Sequence, residues 1–212
     1  MQLGAALFGV VLAAAAGPEV LDRIAATVGS HVVTESDVTE EIRVTAFIEG
    51  TEPNFGPEQK RKTVDRLIDQ ELMRREVLFT RFQLPTQSDI APLYKQIRER
   101  FPSDAAYQAE LKRYALTDSD IRRHVQWQLM TLRFIEYRFQ PGVQISEGDI
   151  RREYEDFARR SREAGTEAPP LEKVHDEMEK IVRQRLVDSA LDRWLGEVRT
   201  QNSILYRKGY EQ

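Results

Sequence analysis

Residues 22–38, DRIAATVGSHVVTESDV, are the stretch whose reading decides the fold. Asp22 to Val28 combines alternating and β-branched residues, Gly29-Ser30 is a turn signal, and His31-Val32-Val33-Thr34 is a second short β-prone run. Together they predict a β-hairpin. Its far end predicts a helix start. Thr34 offers a hydroxyl to an orphan backbone N–H, Asp37 places an acid at the positive end of the helix dipole three residues on, and Val38 is the next apolar residue. The same pattern recurs at Thr86/Asp89/Ile90, Thr117/Asp120/Ile121 and Ser146/Asp149/Ile150. The intervals are irregular, so these are four helix starts and not a structural repeat of fixed period.

Working outward, prolines separate the helical patterns. Pro53 and Pro57 bracket a turn, and Pro85, Pro102, Pro141 and Pro169-Pro170 each fall between helices. Pro92 sits inside the third predicted helix, where it should kink the first turns or push the start later. Val64, Leu67, Ile68, Leu72, Phe79 and Phe82 form one apolar face after Pro57. Ile121, Val125, Leu129, Leu132 and Phe139 form a second. Val174, Met178, Ile181, Val182, Leu191, Trp194, Leu195 and Val198 form a third, on a final helix of about 30 residues, longer than the usual globular helix. That helix should end near Asn202, with Ser203-Ile204-Leu205-Tyr206 a short strand. A strand with no neighbour in sequence must pair elsewhere. The only other β candidate is the hairpin at 22–34, so the two ends of the folded chain are expected to meet in one small sheet. The expected class is mainly α: a multi-helix core with a small sheet made by an N-terminal hairpin and a C-terminal strand.

The chain has 212 residues, 41% apolar and 31% charged, with a formal net charge of -4. That balance excludes a disordered acidic tail and a strongly basic nucleic-acid binder. The absence of cysteine excludes disulfide scaffolds, thiolate zinc sites, iron–sulfur clusters and cysteine nucleophiles. Residues 1–16, MQLGAALFGVVLAAAA, carry no charged side chain and are almost wholly apolar. They are too short for a bilayer span, which needs about 20 apolar residues. They end with Ala14 and Ala16 in an A-x-A arrangement, which reads as a signal peptide, although no Lys or Arg opens it. Export to the periplasm follows as an expectation, with no stable membrane insertion. The expected organisation is a signal peptide at 1–16, a helical domain at 17–157, a polar linker at 158–170 and a completing helix and strand at 171–212.

Catalytic constellations are missing. His31, His124 and His175 are far apart in sequence, none with a second His at ligand spacing, and His175-Asp176-Glu177 reads as a charged helix face and not a metal site. The glycine spacing excludes a dinucleotide fingerprint, a P-loop and a nucleophile elbow. No cofactor and no metal are expected. The arginine runs alternate with acids as on solvated helix faces, so nucleic acid is not an expected partner. What stands out is a second apolar face on the helix that starts at Thr117: Trp127, Met130, Phe134 and Tyr137. Two readings apply. The face is buried between helices, or it lines a groove open to apolar segments of other chains. The candidate peptide-binding residues are therefore Trp127, Met130, Phe134 and Tyr137.

This order of features resembles the core of the SurA-like periplasmic chaperones. The resemblance rests on Leu21-Asp22-Arg23-Ile24-Ala25-Ala26-Thr27-Val28-Gly29 and on Val32-Val33-Thr34-Glu35-Ser36-Asp37-Val38. It continues through Val64-Asp65-Arg66-Leu67-Ile68-Asp69-Gln70-Glu71-Leu72, then Ser146-Glu147-Gly148-Asp149-Ile150 with Tyr154, then the last helix and strand, covering roughly Val20 to Tyr206. The resemblance implies ATP-independent holding of unfolded exported polypeptides, outer-membrane protein precursors in particular. Such proteins usually insert one or two parvulin prolyl-isomerase domains before the last helix. One such domain needs on the order of 90 residues, and only about 30 separate Phe139 from Leu171. The implied activity is therefore that of a holdase and not an enzyme, with no catalytic residue carried over. The alternatives are a prolyl isomerase of that family and a dedicated interaction subunit of an envelope complex. Long helices and end-to-end pairing also permit a swapped homodimer.

Overall fold

The computed structural model describes residues 22–80 and 82–211. The expected signal peptide at 1–16, and residues 17–21 of the expected helical domain, lie outside the described residues. The elements in chain order are β1 (Ile24–Val28), β2 (His31–Thr34), α1 (Glu35–Glu49), α2 (Pro57–Phe79), α3 (Gln87–Arg98), α4 (Asp104–Arg113), α5 (Asp118–Phe139), α6 (Glu147–Glu163), α7 (Leu171–Gln201) and β3 (Ile204–Tyr206). A single 3-10 turn at Gln140–Gly142 follows α5. The fold is mainly α with one small antiparallel sheet in the order β2-β1-β3.

The hairpin forms where the sequence predicts it. Val28 and His31 face each other across Gly29-Ser30, and Thr27 faces Val32. Gly29 takes φ 57°, and an added Cβ there would sit 3.1 Å from the Arg75 guanidinium. Both the left-handed backbone and the close approach favour glycine at this turn. β3 pairs with the opposite edge of β1, Ala26 facing Tyr206 and Val28 facing Ile204. The beginning and end of the described chain thus share one sheet.

All four predicted capping boxes are present, at Thr34/Asp37, Thr86/Asp89, Thr117/Asp120 and Ser146/Asp149. The box at Thr86 holds the start of α3 in place although Pro92 lies within that helix. One helix was not foreseen. α4 is capped by the Ser103 hydroxyl, which accepts from Ala106 N–H at 3.1 Å, but has no acid three residues on.

The expected linker is shorter than its composition suggested. α6 runs on to Glu163, so 158–163 are helical and only 164–170 connect α6 to α7. Arg159 pairs with Asp156 one turn earlier at 2.6 Å, and Phe157 packs near Tyr154. Charged residues at helical spacing make a wet helix face as readily as a loop.

Two sizeable cores divide the molecule. Under the sheet, Ala26, Val28 and Val33 meet Val38 and Ile42 of α1 and Val64, Ile68 and Leu72 of α2. Around α3, α4 and the first half of α5, Phe47, Ile90, Tyr107, Leu111, Ile121 and Val125 form the second. A polar clasp closes the sheet. Arg199 of α7 donates to the Asp69 carboxylate at 2.7 Å and to the Asp65 carbonyl at 3.0 Å, while Tyr206 of β3 donates to the Asp65 carboxylate at 2.6 Å. Hydrogen bonding to Asp69 holds the Arg199 guanidinium above its ordinary pKa.

Candidate functional site

The four residues expected to line a groove do not form one surface. Met130 and Phe134 are buried at 4% and 0% exposure. They pack with Val77 of α2 in a small third core, with Phe82 and Trp127 against it. Phe134 also meets Trp194 of α7, ring centroids 6.3 Å apart. α2 and α7 both lie across this face of α5, so Met130 and Phe134 are core and not groove lining. Trp127 and Tyr137, at the two ends of the face, each line a different cleft.

The first cleft, of about 440 Å³, lies between β2, α1, α2 and α5. Its apolar lining is Val44 of α1, Leu67 of α2 and Trp127 of α5. Its polar wall is built on Glu71, which is only 6% exposed although it is a carboxylate. A buried charge must be paired. Arg74 Nε and Arg75 Nε donate to it at 2.8 and 2.9 Å, and His31 Nδ1 stands 3.7 Å away. Arg75 also donates to the Val28 carbonyl, tying this cluster to the hairpin. Burial pushes the Glu71 carboxyl up, but the hydrogen bonds from Arg75 and Arg74 and the positive neighbours outweigh it and hold the pKa below the ordinary value. On the α1–α5 side, His124 Nδ1 lies 3.6 Å from Glu41, and Arg123 bridges Glu40 at 2.8 Å and Asp120 at 2.5 Å.

The second cleft, of about 710 Å³, is wider and opens between the residues after α2 and the end of α5. Phe82 lies tilted against Tyr137, ring centroids 5.6 Å apart, and meets Phe134 edge-on at 5.8 Å. Leu84 shares the lining, and Arg133 pairs with Asp89 at 2.7 Å. The Arg133 hydrogen bond, with those from Thr86, holds the Asp89 carboxyl far below its usual range. Leu78 and Phe79, in the last turn of α2 just before this cleft, are 65% and 86% exposed.

Two residues far apart in sequence, His31 and His124, are brought to one cleft, each beside its own carboxylate. Sequence distance concealed this. The visible signal was Glu71, a charge set directly against Leu72 and one turn from Ile68 on the apolar side of α2. Among the described residues no group of three or more His, Asp or Glu is placed to hold a metal ion. His175 instead faces Glu147 at 3.4 Å, and that hydrogen bond raises its pKa. Both clefts combine apolar lining with paired charges, and residues of β2 line the first. No family model matches the chain, and no curated protein matches it.

Proposed function

We propose that this protein is an ATP-independent holdase of the SurA-like type, working in the periplasm on unfolded exported polypeptides such as outer-membrane β-barrel precursors. The observation that carries the reading is the exposure of large apolar side chains beside an open cleft. Leu84 and Tyr137, which line the second cleft, and Leu78 and Phe79, in the last turn of α2, are all at least half exposed. Large exposed apolar groups grouped at one place mark a surface for other polypeptides. Unfolded β-barrel precursors present alternating apolar residues and unpaired strand edges, which such a surface can hold weakly. The hairpin and terminal strand sharing one sheet fit the resemblance stated above, whereas the short 164–170 connection is where the chain departs from it, since no domain is inserted there. No helix among the described residues is long and apolar enough to cross a membrane.

The test is light scattering from an unfolded porin-type barrel diluted out of urea without nucleotide. Equimolar protein is expected to suppress aggregation, and Phe79→Ser to weaken suppression without loss of fold. Unchanged aggregation, with no change in tryptophan emission on mixing, rejects the reading. A proline-limited refolding assay is expected to show no acceleration; acceleration would favour the isomerase alternative.

A further inference from the structure

Several observations meet at β2. Gly29 N–H donates to the Ser203 carbonyl at 2.8 Å, and Arg207 N–H donates to the Ala25 carbonyl at 2.9 Å. Ala25 and Gly29 therefore turn their backbone groups toward β3, and by alternation along the strand so does Thr27. Directly opposed residues in an antiparallel ladder alternate between bonded and non-bonded pairs. Thr27–Val32 is consequently the non-bonded kind, and Val32 points its own N–H and C=O away from β1. β2 is the outer strand on that side. The next outward N–H, that of Thr34, is already taken by the Asp37 carboxylate at 2.8 Å. Among the described residues, one unpaired donor–acceptor couple is left on this edge, at Val32.

That edge is one wall of the first cleft, where His31, Val32 and Val33 stand opposite Trp127 with Leu67 and Val44 between. The charge there is lopsided. Five carboxylates, of Asp37, Glu40, Glu41, Glu71 and Asp120, line the cleft against two guanidiniums, Arg74 beside Glu71 and Arg123 beside Glu40 and Asp120, with His31 near Glu71 and His124 near Glu41. Of Asp37, Glu40 and Asp120, the two aspartates are also engaged in the caps of α1 and α5, which leaves Glu40 outside any cap.

We propose that this cleft is a strand-addition site for extended polypeptide segments that alternate apolar residues with Lys or Arg. The incoming strand exchanges a pair of backbone hydrogen bonds with Val32, as in other strand additions to a sheet edge. Its apolar side chains rest on Val44, Leu67 and Trp127, and its cationic side chains face Asp37, Glu40 and Asp120. This deepens the client-binding reading above and rests on it. A single free residue on a four-residue strand limits the pairing, which keeps capture weak and guards the edge against aggregation.

The probe is a synthetic peptide of alternating valine and lysine, added to the full chain. Binding is expected to shift Trp127 emission in a Trp194→Phe background and to slow hydrogen exchange at the Val32 amide. Methylating alternate peptide nitrogens is expected to weaken binding about tenfold, since it removes the edge hydrogen bonds. Replacing lysine by glutamate should weaken it by about the same factor at low salt, with the gap closing as salt screens the charges. Val32→Pro removes the outward donor on an edge strand, where proline is tolerated, and should mimic peptide methylation. If that variant unfolds by circular dichroism, the methylated peptide on the unaltered chain decides. Equal binding of methylated and unmethylated peptide with unchanged Val32 exchange overturns the proposal. If barrel aggregation is still suppressed in that case, the strand site falls alone. If suppression is absent while the peptide binds and protects Val32, the strand site stands and the chaperone reading falls.

Discussion

The two ends of α2 can be set side by side. In its first half, Val64, Ile68 and Leu72 lie beneath the sheet and are closed to water, with α1 beside them and the Arg199 clasp alongside. At its far end, only Val77 turns inward, against Met130 and Phe134, while Leu78 and Phe79 stand in solvent. One helix therefore serves a sealed core at one end and an apolar surface at the other. The difference lies in what is laid across the helix and not in its own hydrophobicity. Elements from both ends of the chain cover the first half, whereas α5 and part of α7 cover only one side of the second. The exposed apolar pair Leu78 and Phe79 thus lies about two helical turns beyond Leu72, the last α2 residue of the sheet core.

The comparison can be broken most sharply at its thinnest point. Phe134→Ala empties the centre of the small third core and is expected to cost about 3–5 kcal/mol, read by urea denaturation. A cost below about 1 kcal/mol would mean that the second end of α2 is not held by α5 at all. Arg199→Met should loosen the sealed end by about 2 kcal/mol, because it removes charge-assisted hydrogen bonds to Asp69 and the Asp65 carbonyl. Faster hydrogen exchange at Leu205, with α3 and α4 unaffected, would locate the loss at the sheet.

Acid should act on the sealed end too. The Glu71 carboxyl is held below its ordinary value of 4.5, so its folded-state pKa is depressed. Its contribution is fully present above that ordinary value and is lost as pH falls through the lower folded value. Thermal melting of the native chain should fall on acidification below pH 4.5, and Glu71→Gln should flatten that slope. An unchanged slope would show that the cluster is not coupled to folding. Thr117→Ala removes one cap at the start of α5 and should cost about 1 kcal/mol, testing whether α5 depends on its own cap or mainly on packing. The smallest stability effect is expected at the open end: Phe79→Ser should change folding free energy by less than about 0.5 kcal/mol while weakening suppression of aggregation.

Much of the architecture was legible locally. The turn at Gly29 and the four boxed helix starts each depend on residues within four positions of one another, the hairpin on residues within ten, and all are present. Ser103 was missed because a lone hydroxyl cap carries half of the box signal. Residues 158–163 look like linker in sequence because charge pairs on a wet helix face have the composition of a loop. The candidate site was less legible. Trp127, Met130, Phe134 and Tyr137 share a helical face, yet the middle two are covered by α2 and α7, and the outer two open to different clefts. Phe79 and Leu132 belong to apolar helix faces and yet are exposed, since periodicity indicates which residues share a face, not how far the covering element extends.

The amino-acid sequence alone determined where helices begin, where the hairpin turns and that the last strand must seek a distant partner, because orphan backbone groups near a helix start are satisfied by side chains a few residues away. Only the tertiary structure decided which apolar residues meet water, that Glu71 is sunk among arginines, and that His31 and His124 share a cleft with the free edge of β2. Those outcomes depend on elements laid across one another from positions as far apart as Asp69 and Arg199, and burial is a property of that crossing rather than of any segment by itself.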